Sequence, residues 1–143
     1  MSVRITRKRL SYAAALRELQ GPGQGGIVLF SGRVRPDRFS RGRVVALDYE
    51  AHQPLAEQAL TALERRARSR YGATRVVLWH RVGKVPVDEA SVFVGVATGH
   101  RAEAFTAARY LIEELKAKAP IWKTEITRPA RRRRPRPGGR ASR

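Results

Sequence analysis

The sequence contains no cysteine among its 143 residues. This absence excludes disulfide bonds, thiolate metal sites and cysteine nucleophiles, and it is neutral about the cellular compartment. No apolar run approaches the roughly 18 residues of a membrane-spanning helix. The charged stretch from Arg4 to Arg9 is not followed by the apolar core and cleavage site of a signal peptide. We therefore expect a cytoplasmic protein.

Several common catalytic signatures are missing as well. The glycine-rich segment Gly21–Gly26 has neither the P-loop spacing nor the dinucleotide-binding spacing. No serine lies in a nucleophile-elbow motif, and no group of histidines and carboxylates has the spacing of metal ligands. The residues therefore predict no metal and no cofactor.

Acidic residues are scarce: the sequence has 12 of them and 30 lysines and arginines, which gives a formal net charge of +18. Residues 128–143 contain eight arginines and no acid, which leaves +10 for residues 1–127. A segment this polar and charged cannot bury a core. We predict a folded domain over residues 1–127 and a disordered Arg-rich tail over residues 128–143, which binds polyanions nonspecifically.

Apolar periodicity predicts an α+β fold with a mainly antiparallel sheet and with helices on one side of it. The predicted strands are Ser2–Thr6, Ile27–Val34, Val44–Glu50, Arg75–Val82, Ser91–Thr98 and Trp122–Thr127. The second and third strands are expected to pair with each other, and so are the fourth and fifth. Pro36–Gly42 is expected to be a loop and Gly83–Asp88 a turn.

Three helices are predicted between these strands. The first follows an N-cap at Ser11, the second runs from Pro54 to about Arg70 before Gly72, and the third runs from about Arg101 to Ala119 before Pro120. Spacings of three and four predict their inward faces. These are Tyr12, Ala15, Leu16 and Leu19; then Leu55, Ala59, Ala62, Leu63 and Ala67; then Phe105, Ala108, Ile112, Leu115 and Ala119. Trp122 is expected to be a packing residue.

Basic residues mark both ends of the third helix. His100 and Arg101 lie at its N-terminus, where free backbone N–H groups favour an anion. Lys116 and Lys123 flank Pro120 at its other end. Arg33 and Arg35 share one strand face by the two-residue period. Each of these residues alone is more often structural or solvated, but together they would bind phosphate or carboxylate if the fold brings them to one place.

A series of short motifs in this order and spacing resembles a known family. The motifs are Phe30-Ser31-Gly32-Arg33-Val34-Arg35, Asp48-Tyr49-Glu50, His80-Arg81-Val82-Gly83, Val92-Phe93-Val94-Gly95-Val96, Gly99-His100-Arg101 and the segment from Leu115 to Lys123. Over about residues 26–125, the chain resembles the large, catalytic subunit of molybdopterin synthase. The combination of His-Arg with Lys-x-x-x-Pro-x-Trp-Lys is the most specific part.

The resemblance implies an α/β hammerhead fold and a homodimer within a heterotetramer. The expected partner is a small ubiquitin-like sulfur-carrier subunit with a C-terminal Gly-Gly thiocarboxylate. The implied enzyme is a sulfurtransferase of molybdenum cofactor biosynthesis. It converts cyclic pyranopterin monophosphate, the pterin substrate, to molybdopterin by two sulfur transfers. Because the chain has no cysteine, the sulfur has to be carried by the partner.

The family's site residues can be carried over position by position. The substrate-binding set falls on Arg33, Val34, Arg35, His100, Arg101, Lys116, Lys123, Thr124 and Glu125. Lys116 and Lys123 are the expected catalytic residues: Lys116 for acid–base or covalent chemistry, Lys123 for the thiocarboxylate and the intermediate.

The chain departs from the family pattern at Pro36-Asp37-Arg38, where members commonly have an Asn/His-type loop, and after Glu125, where it lacks a Trp-containing segment. Two other functions stay open. One is a basic nucleic-acid-binding module, which the charge favours although no recognition motif is present. The other is an inactive scaffold with the same fold.

Overall fold

The computed structural model describes residues 2–39 and 42–129, which form eight strands and three α-helices. The strands are β1 Val3–Thr6, β2 Gly26–Arg33, β3 Arg38–Phe39, β4 Gly42–Ala51, β5 Arg75–Arg81, β6 Gly83–Pro86, β7 Ala90–Thr98 and β8 Ile121–Pro129. The helices are α1 Tyr12–Leu19, α2 Gln53–Tyr71 and α3 Arg101–Lys118. The predicted α+β class is confirmed.

The first sheet has the strand order β1-β5-β7-β2. β5 and β2 both pair antiparallel with β7, whereas β1 pairs parallel with β5. The expected pairing of the fourth and fifth predicted strands is therefore confirmed as β5 with β7. Every residue of β7 is buried, as its largely apolar sequence predicts for a central strand.

The second sheet is built around β4, which pairs with β8 on one side and with β6 and β3 on the other. The expected pairing of the second and third predicted strands is wrong, because β2 and β4 belong to different sheets. The expected turn at Gly83–Asp88 is also wrong over its first four residues. Those residues form β6, in which Pro86 ends the strand and Val85 is buried in the core of the second sheet.

The helices cover both faces of the first sheet, so the prediction of helices on one side is wrong. α2 and α3 pack on the face that carries Val76 and Leu78. α1 packs on the opposite face, against Val77 and Trp79. Alternating residues of β5 thus point into two separate cores, as a strand between two layers requires.

The predicted helix ends are accurate to about one residue. The Ser11 hydroxyl accepts a hydrogen bond from the backbone N–H of Ala14 at 3.1 Å, which confirms the N-cap. Gly72 ends α2 with φ 68°, a left-handed conformation that glycine adopts without strain. Pro54 lies in the first turn of α2, and α3 ends just before Pro120.

The predicted helix faces are partly wrong. The buried residues are Ala56, Leu60, Leu63 and Ala67 in α2, and Ala104, Ala107, Ala108, Leu111 and Leu115 in α3. Leu55 and Ala62 are exposed, and Phe105 is 64% exposed. Tyr12 and Leu16 of α1 are also exposed, whereas Ala15 and Leu19 are buried as predicted. Trp122 is 52% exposed, so it is not the packing residue we expected.

β8 continues through Arg128 and Pro129, the first two residues of the predicted tail. The rest of that tail, residues 130–143, lies outside the described residues, as do residues 40 and 41 of the predicted loop. In the described part of the chain, none of the helices is long and apolar enough to cross a membrane.

Candidate functional site

The backbone of two glycines fixes the position of His100 and Arg101. The Gly25 N–H donates to the carbonyl of Thr98 at 2.9 Å, and a Cβ at Gly25 would lie 2.0 Å from the carbonyl oxygen of Gly99. A Cβ at Gly26 would meet the Cα of Arg101 at 3.0 Å. Only glycine allows this close approach. The start of β2 therefore lies directly against the start of α3.

His100 occupies the N-cap position of α3, but its side chain makes no capping hydrogen bond. Both His100 and Arg101 are exposed. The hydroxyl of Thr98 donates to the His100 carbonyl, which holds this backbone turn. Two cationic or polar side chains and the free N–H groups of a helix N-terminus thus face solvent together, an arrangement suited to an anion.

The segment from Arg33 to Arg35 lies at the opposite end of the first sheet. Arg33 is the last residue of β2, opposite Ala90 at the start of β7, and its guanidinium donates to the Asp88 carbonyl. Val34 exchanges backbone hydrogen bonds with the 88–89 turn, and its side chain is buried. Any contact of Val34 with a substrate would therefore use its backbone.

Arg35 is exposed beyond the end of β2, so it does not share a strand face with Arg33 as predicted. Its guanidinium lies 3.6 Å from the Asp37 carboxylate, and both side chains are largely in solvent. An exposed pair of this kind is weak. Arg35 is therefore able to exchange Asp37 for an anionic ligand.

Both lysines lie at the same end of the molecule as Arg33. α3 starts beside β2 and packs on the first sheet, and Leu115, in its last turn, belongs to the same core as Phe30 in the second half of β2. Lys116 is the next residue in that turn. The backbone N–H of His52 donates to Pro120 at 3.2 Å, and the Trp122 indole donates to Glu50 at 3.1 Å. These two bonds hold the start of β8 against the end of β4.

Lys123 is opposite Tyr49 in the β4–β8 ladder, and the next two residues, Thr124 and Glu125, are opposite Asp48 and Leu47. All three are exposed. Lys116 and Lys123 form no ion pair with any residue in the 2–39 and 42–129 ranges, whereas the nearby Lys118 pairs with Glu114 at 2.7 Å. The two lysines are thus available to a ligand.

Tyr49, the residue opposite Lys123, forms a link between the two sheets that the sequence does not predict. The Tyr49 hydroxyl donates to Ser91 at 3.3 Å, and the Ser91 hydroxyl donates to the Gly32 carbonyl at 3.4 Å. The Tyr49 ring also meets the buried His80 ring edge-on, with centroids 5.0 Å apart. Tyr49 was visible in the sequence only as part of a motif, since nothing in the local pattern indicates a partner 42 residues away.

These contacts divide the predicted site residues into two groups. Arg33, Val34, Arg35, Lys116 and the segment Lys123–Glu125 gather at one end of the first sheet; we call this the lysine end. His100 and Arg101 lie at the other, about 25 Å away along β7 by the rise of a strand. Convergence of all of them within one chain, which the sequence suggested, is therefore not what the fold gives.

Charge at the lysine end is shaped by the turn before β7. Arg81 donates to Glu89 at 2.7 Å, and Arg9 lies 3.8 Å from the same carboxylate. The hydrogen bond from Arg81 is the main reason that the pKa of Glu89 lies below its ordinary value. Glu89 is thus a paired carboxylate. Within the described residues, no group of three or more histidines and carboxylates could hold a metal ion.

Comparison with known proteins identifies the family of this chain. Residues 5–118 match the model of the family described as MoaE protein. A protein of Mycobacterium tuberculosis named molybdopterin synthase catalytic subunit 1 is 41% identical over 124 residues, which are 87% of this chain and 84% of that protein. A rice protein, from Oryza sativa subsp. indica, named molybdopterin synthase catalytic subunit is 43% identical over 118 residues.

The chain is shorter than some of these relatives. The rice match takes in 82% of this chain but 61% of the rice protein. Among solved structures, molybdopterin synthase from Staphylococcus aureus superposes with a TM-score of 0.81 at 27% identity, over 90% of this chain and 96% of the other. The family model and the identity to the mycobacterial relative show that this chain belongs to the MoaE protein family.

Proposed function

We propose that this chain is the catalytic subunit of molybdopterin synthase. It converts cyclic pyranopterin monophosphate to molybdopterin by moving two sulfurs from a small ubiquitin-like partner, whose C-terminal Gly-Gly carries a thiocarboxylate. Each transfer turns one thiocarboxylate into a carboxylate, so two partner molecules are used per product. Family membership and the names of the mycobacterial and rice relatives support the role of a molybdopterin synthase catalytic subunit.

The observation that carries the proposal is the lysine end itself. Two lysines without ion pairs among the described residues lie with Arg33 and Arg35, on backbone held by the Pro120 and Trp122 contacts. A thiocarboxylate and a cyclic phosphate are both anions. Cations fixed at one place bind them, and stabilise the charge that develops as the cyclic ester opens.

The position of each residue indicates its role in binding and catalysis. Lys116, at the end of a helix, serves as the acid–base or covalent group. Lys123 lies on β8 opposite Tyr49, and it binds the thiocarboxylate and the intermediate. Thr124 and Glu125 follow it on the same strand and contact the substrate, and Arg35 binds the phosphate.

His100 and Arg101 need a second copy of the chain to take part. They lie about 25 Å from the lysine end within one chain, yet they form an exposed anion-binding turn. In a homodimer with two-fold symmetry, the His100 end of one copy and the lysine end of the other would meet twice. We propose that each site combines Arg35, Lys116 and Lys123 of one copy with His100 and Arg101 of its partner.

Substitution of the lysines tests the enzyme function. Lys116→Ala should lower molybdopterin formation by at least about a hundredfold, the usual contribution of an acid–base group, and Lys123→Ala should also lower it severely. The assay mixes the chain with a thiocarboxylated partner and the pterin precursor. Both variants should keep the wild-type fold, since both side chains are exposed.

Lys118→Ala is the matched control. Lys118 lies one half-turn from Lys116, but it is occupied by its ion pair with Glu114. Its loss removes an i,i+4 pair worth only about 0.3–0.5 kcal/mol, so activity should stay near wild type. Near-normal turnover in Lys116→Ala would refute the assignment of Lys116.

A further inference from the structure

The direction of the Lys123 side chain follows from the β4–β8 ladder. Lys123 is opposite Tyr49, and the next pair along the two strands is Trp122 with Glu50. Directly opposed residues point to the same face of a sheet, and successive residues alternate between its two faces. The second pair obeys this rule, because the Trp122 indole donates to the Glu50 carboxylate at 3.1 Å. Lys123 and Tyr49 therefore share the other face of the second sheet.

The contacts of Tyr49 show that this face is turned toward the first sheet. The Tyr49 hydroxyl donates to Ser91 of β7 at 3.3 Å, and the Tyr49 ring meets that of His80 of β5. Both β5 and β7 are strands of the first sheet. The Lys123 side chain therefore points toward the first sheet, whose strand β2 ends at Arg33, whereas the Trp122 side chain points away from it.

Buried polar side chains are concentrated around the Tyr49 hydroxyl. Ser91 is 4% exposed and His80 is 5% exposed, and Thr98 is the one other buried polar side chain among the residues that the structure describes. The Ser91 hydroxyl in turn donates to the Gly32 carbonyl at 3.4 Å. Buried hydroxyls cost free energy unless they are hydrogen-bonded, so an apolar pair of similar volume would serve stability equally well. Hydrogen bonds add a fixed orientation of the Tyr49 ring, which apolar packing does not provide.

We propose that Tyr49 is a positioning residue, which holds Lys123 at the lysine end through its hydrogen bond to Ser91. The Cβ atoms of directly opposed residues are only about 4.5–5.5 Å apart, so the oriented Tyr49 ring limits the directions open to the Lys123 side chain. The same bond fixes β4, and with it β8, against the first sheet. The effect on catalysis rests on the proposed function, in which Lys123 binds the thiocarboxylate.

A structural test observes Lys123 directly and does not need the reaction. The sequence has five lysines, so isotope-labelled lysine gives a small set of Cε methylene signals in an NMR spectrum, and Lys123→Arg identifies the Lys123 signal by its loss. Tyr49→Phe keeps the ring and removes the hydroxyl. In this variant, the Lys123 signal should move toward its position in the urea-unfolded chain, and by more than the signals of the other four lysines.

A kinetic test relates this position to the proposed function. In Tyr49→Phe, the KM for the thiocarboxylated partner should rise at least about fivefold, because its anion loses a charge-assisted hydrogen bond of fixed geometry. The KM for the pterin precursor should stay near the wild-type value, since Arg35 binds its phosphate. A smaller fraction of folded enzyme would instead lower kcat and leave both KM values unchanged, so the two KM values separate positioning from stability.

Tyr12→Phe is the matched control. The hydroxyls of Tyr12 and Ser31 also share a hydrogen bond, at 2.9 Å, but this bond joins α1 to β2 and does not reach the second sheet. The control variant loses the same chemical group from the same kind of pair. It should leave the Lys123 signal and both KM values unchanged.

Ser91→Ala breaks the proposed link from its other end. It should move the Lys123 signal and raise the KM for the partner as Tyr49→Phe does, and it provides the test should Tyr49→Phe fail to fold. The double variant Tyr49→Phe/Ser91→Ala should show no larger effect than the stronger single variant, because residues that act through one shared contact are not additive.

An unchanged Lys123 signal in Tyr49→Phe and Ser91→Ala would overturn the proposal, whatever the enzyme activity. An equal KM for the partner in Tyr49→Phe and Tyr12→Phe would also overturn it, since the position of Lys123 would then not depend on the link during the reaction. If the wild-type chain forms no molybdopterin while the Lys123 signal moves as expected, the proposed function is wrong and the positioning of Lys123 by Tyr49 is supported.

Discussion

At the residue scale, His80 shows how burial sets protonation. Its side chain is only 5% exposed, and its Nδ1 lies 2.8 Å from the Arg81 carbonyl oxygen, to which it donates. Burial disfavours the charged ring and lowers the pKa of His80, although the backbone hydrogen bond opposes this. His80 is therefore a neutral core residue at the junction of the two sheets, next to Tyr49.

This lowered pKa makes stability depend on pH in a defined direction. The unfolded chain binds the His80 proton at a pKa near 6.5, but the folded chain binds it only at lower pH. As the pH falls from about 6.5 toward the folded pKa, the free energy of unfolding should decrease by up to about 1.4 kcal/mol per pH unit for this one proton. Urea unfolding between pH 7.5 and 5 measures it.

His80→Gln should flatten that pH dependence, because glutamine does not titrate. His100→Gln is the control, since the His100 side chain is exposed at the helix N-cap, and it should leave the dependence in place. Parallel stability curves for the wild type and His80→Gln would contradict the role given to burial.

At the element scale, the contact between the start of β2 and the start of α3 positions the His100 end. A side chain at Gly25 would overlap the Gly99 carbonyl. Gly25→Ala should therefore destabilise the fold by about 1–3 kcal/mol, the usual effect of overpacking. It should also lower catalytic activity by displacing His100. Thermal unfolding and product formation measure the two effects.

Gly99→Ala is the control from the other side of the same contact. Nothing lies within 4 Å of a Cβ at Gly99, so this variant should keep both stability and activity near wild type. If Gly25→Ala and Gly99→Ala behave alike, the effect belongs to the loss of glycine flexibility and not to the close approach.

The sequence predicts the helix ends better than it predicts the helix faces. Caps are local: Ser11 and Gly72 act on backbone groups within a few residues, so their signals are complete in the sequence. Which face of a helix is buried depends on the elements that pack against it. α3 carries apolar residues on two adjacent stripes, and the fold buries the one rich in alanine, which leaves Phe105 outside.

Strand pairing shows the same division between local and distant information. β5 and β7 pair as predicted. The chain leaves the first sheet directly after β2, at Val34, whose side chain joins the core of the second sheet. β6 contains Gly83 with φ 85° and Pro86, both of which indicate a turn locally. Its pairing with β4 overrides that signal, and no local pattern shows it.

At the scale of the whole molecule, the antiparallel pairing of β2 with β7 decides where the site can be. Because Arg33 is opposite Ala90 and Gly26 is opposite Thr98, the two basic groups lie at opposite ends of the same strands. The sequence identifies both groups but not their separation, which depends on register. In a homodimer, the two basic groups can still form one site if the His100 end of one copy contacts the lysine end of the other.

Mixing two inactive variants tests that arrangement. Lys116→Ala and Arg101→Ala should each be inactive alone, since every site in either dimer lacks one group. In a mixed dimer, one site has both defects and the other has neither. After random exchange of subunits, about one quarter of the wild-type sites should be restored, because half of the dimers are mixed and half of their sites are intact. Product formation in the presence of the thiocarboxylated partner measures this.

The control mixes Lys116→Ala with Lys123→Ala. Both lysines lie at the lysine end of the same copy, so each mixed dimer has one defect in each site and activity should not return. Restoration in the first mixture alone establishes that the two ends meet across copies. No restoration in either mixture, with exchange confirmed by mass spectrometry, would mean that Arg101 and Lys116 act within the same copy, and it would refute the site shared between two copies.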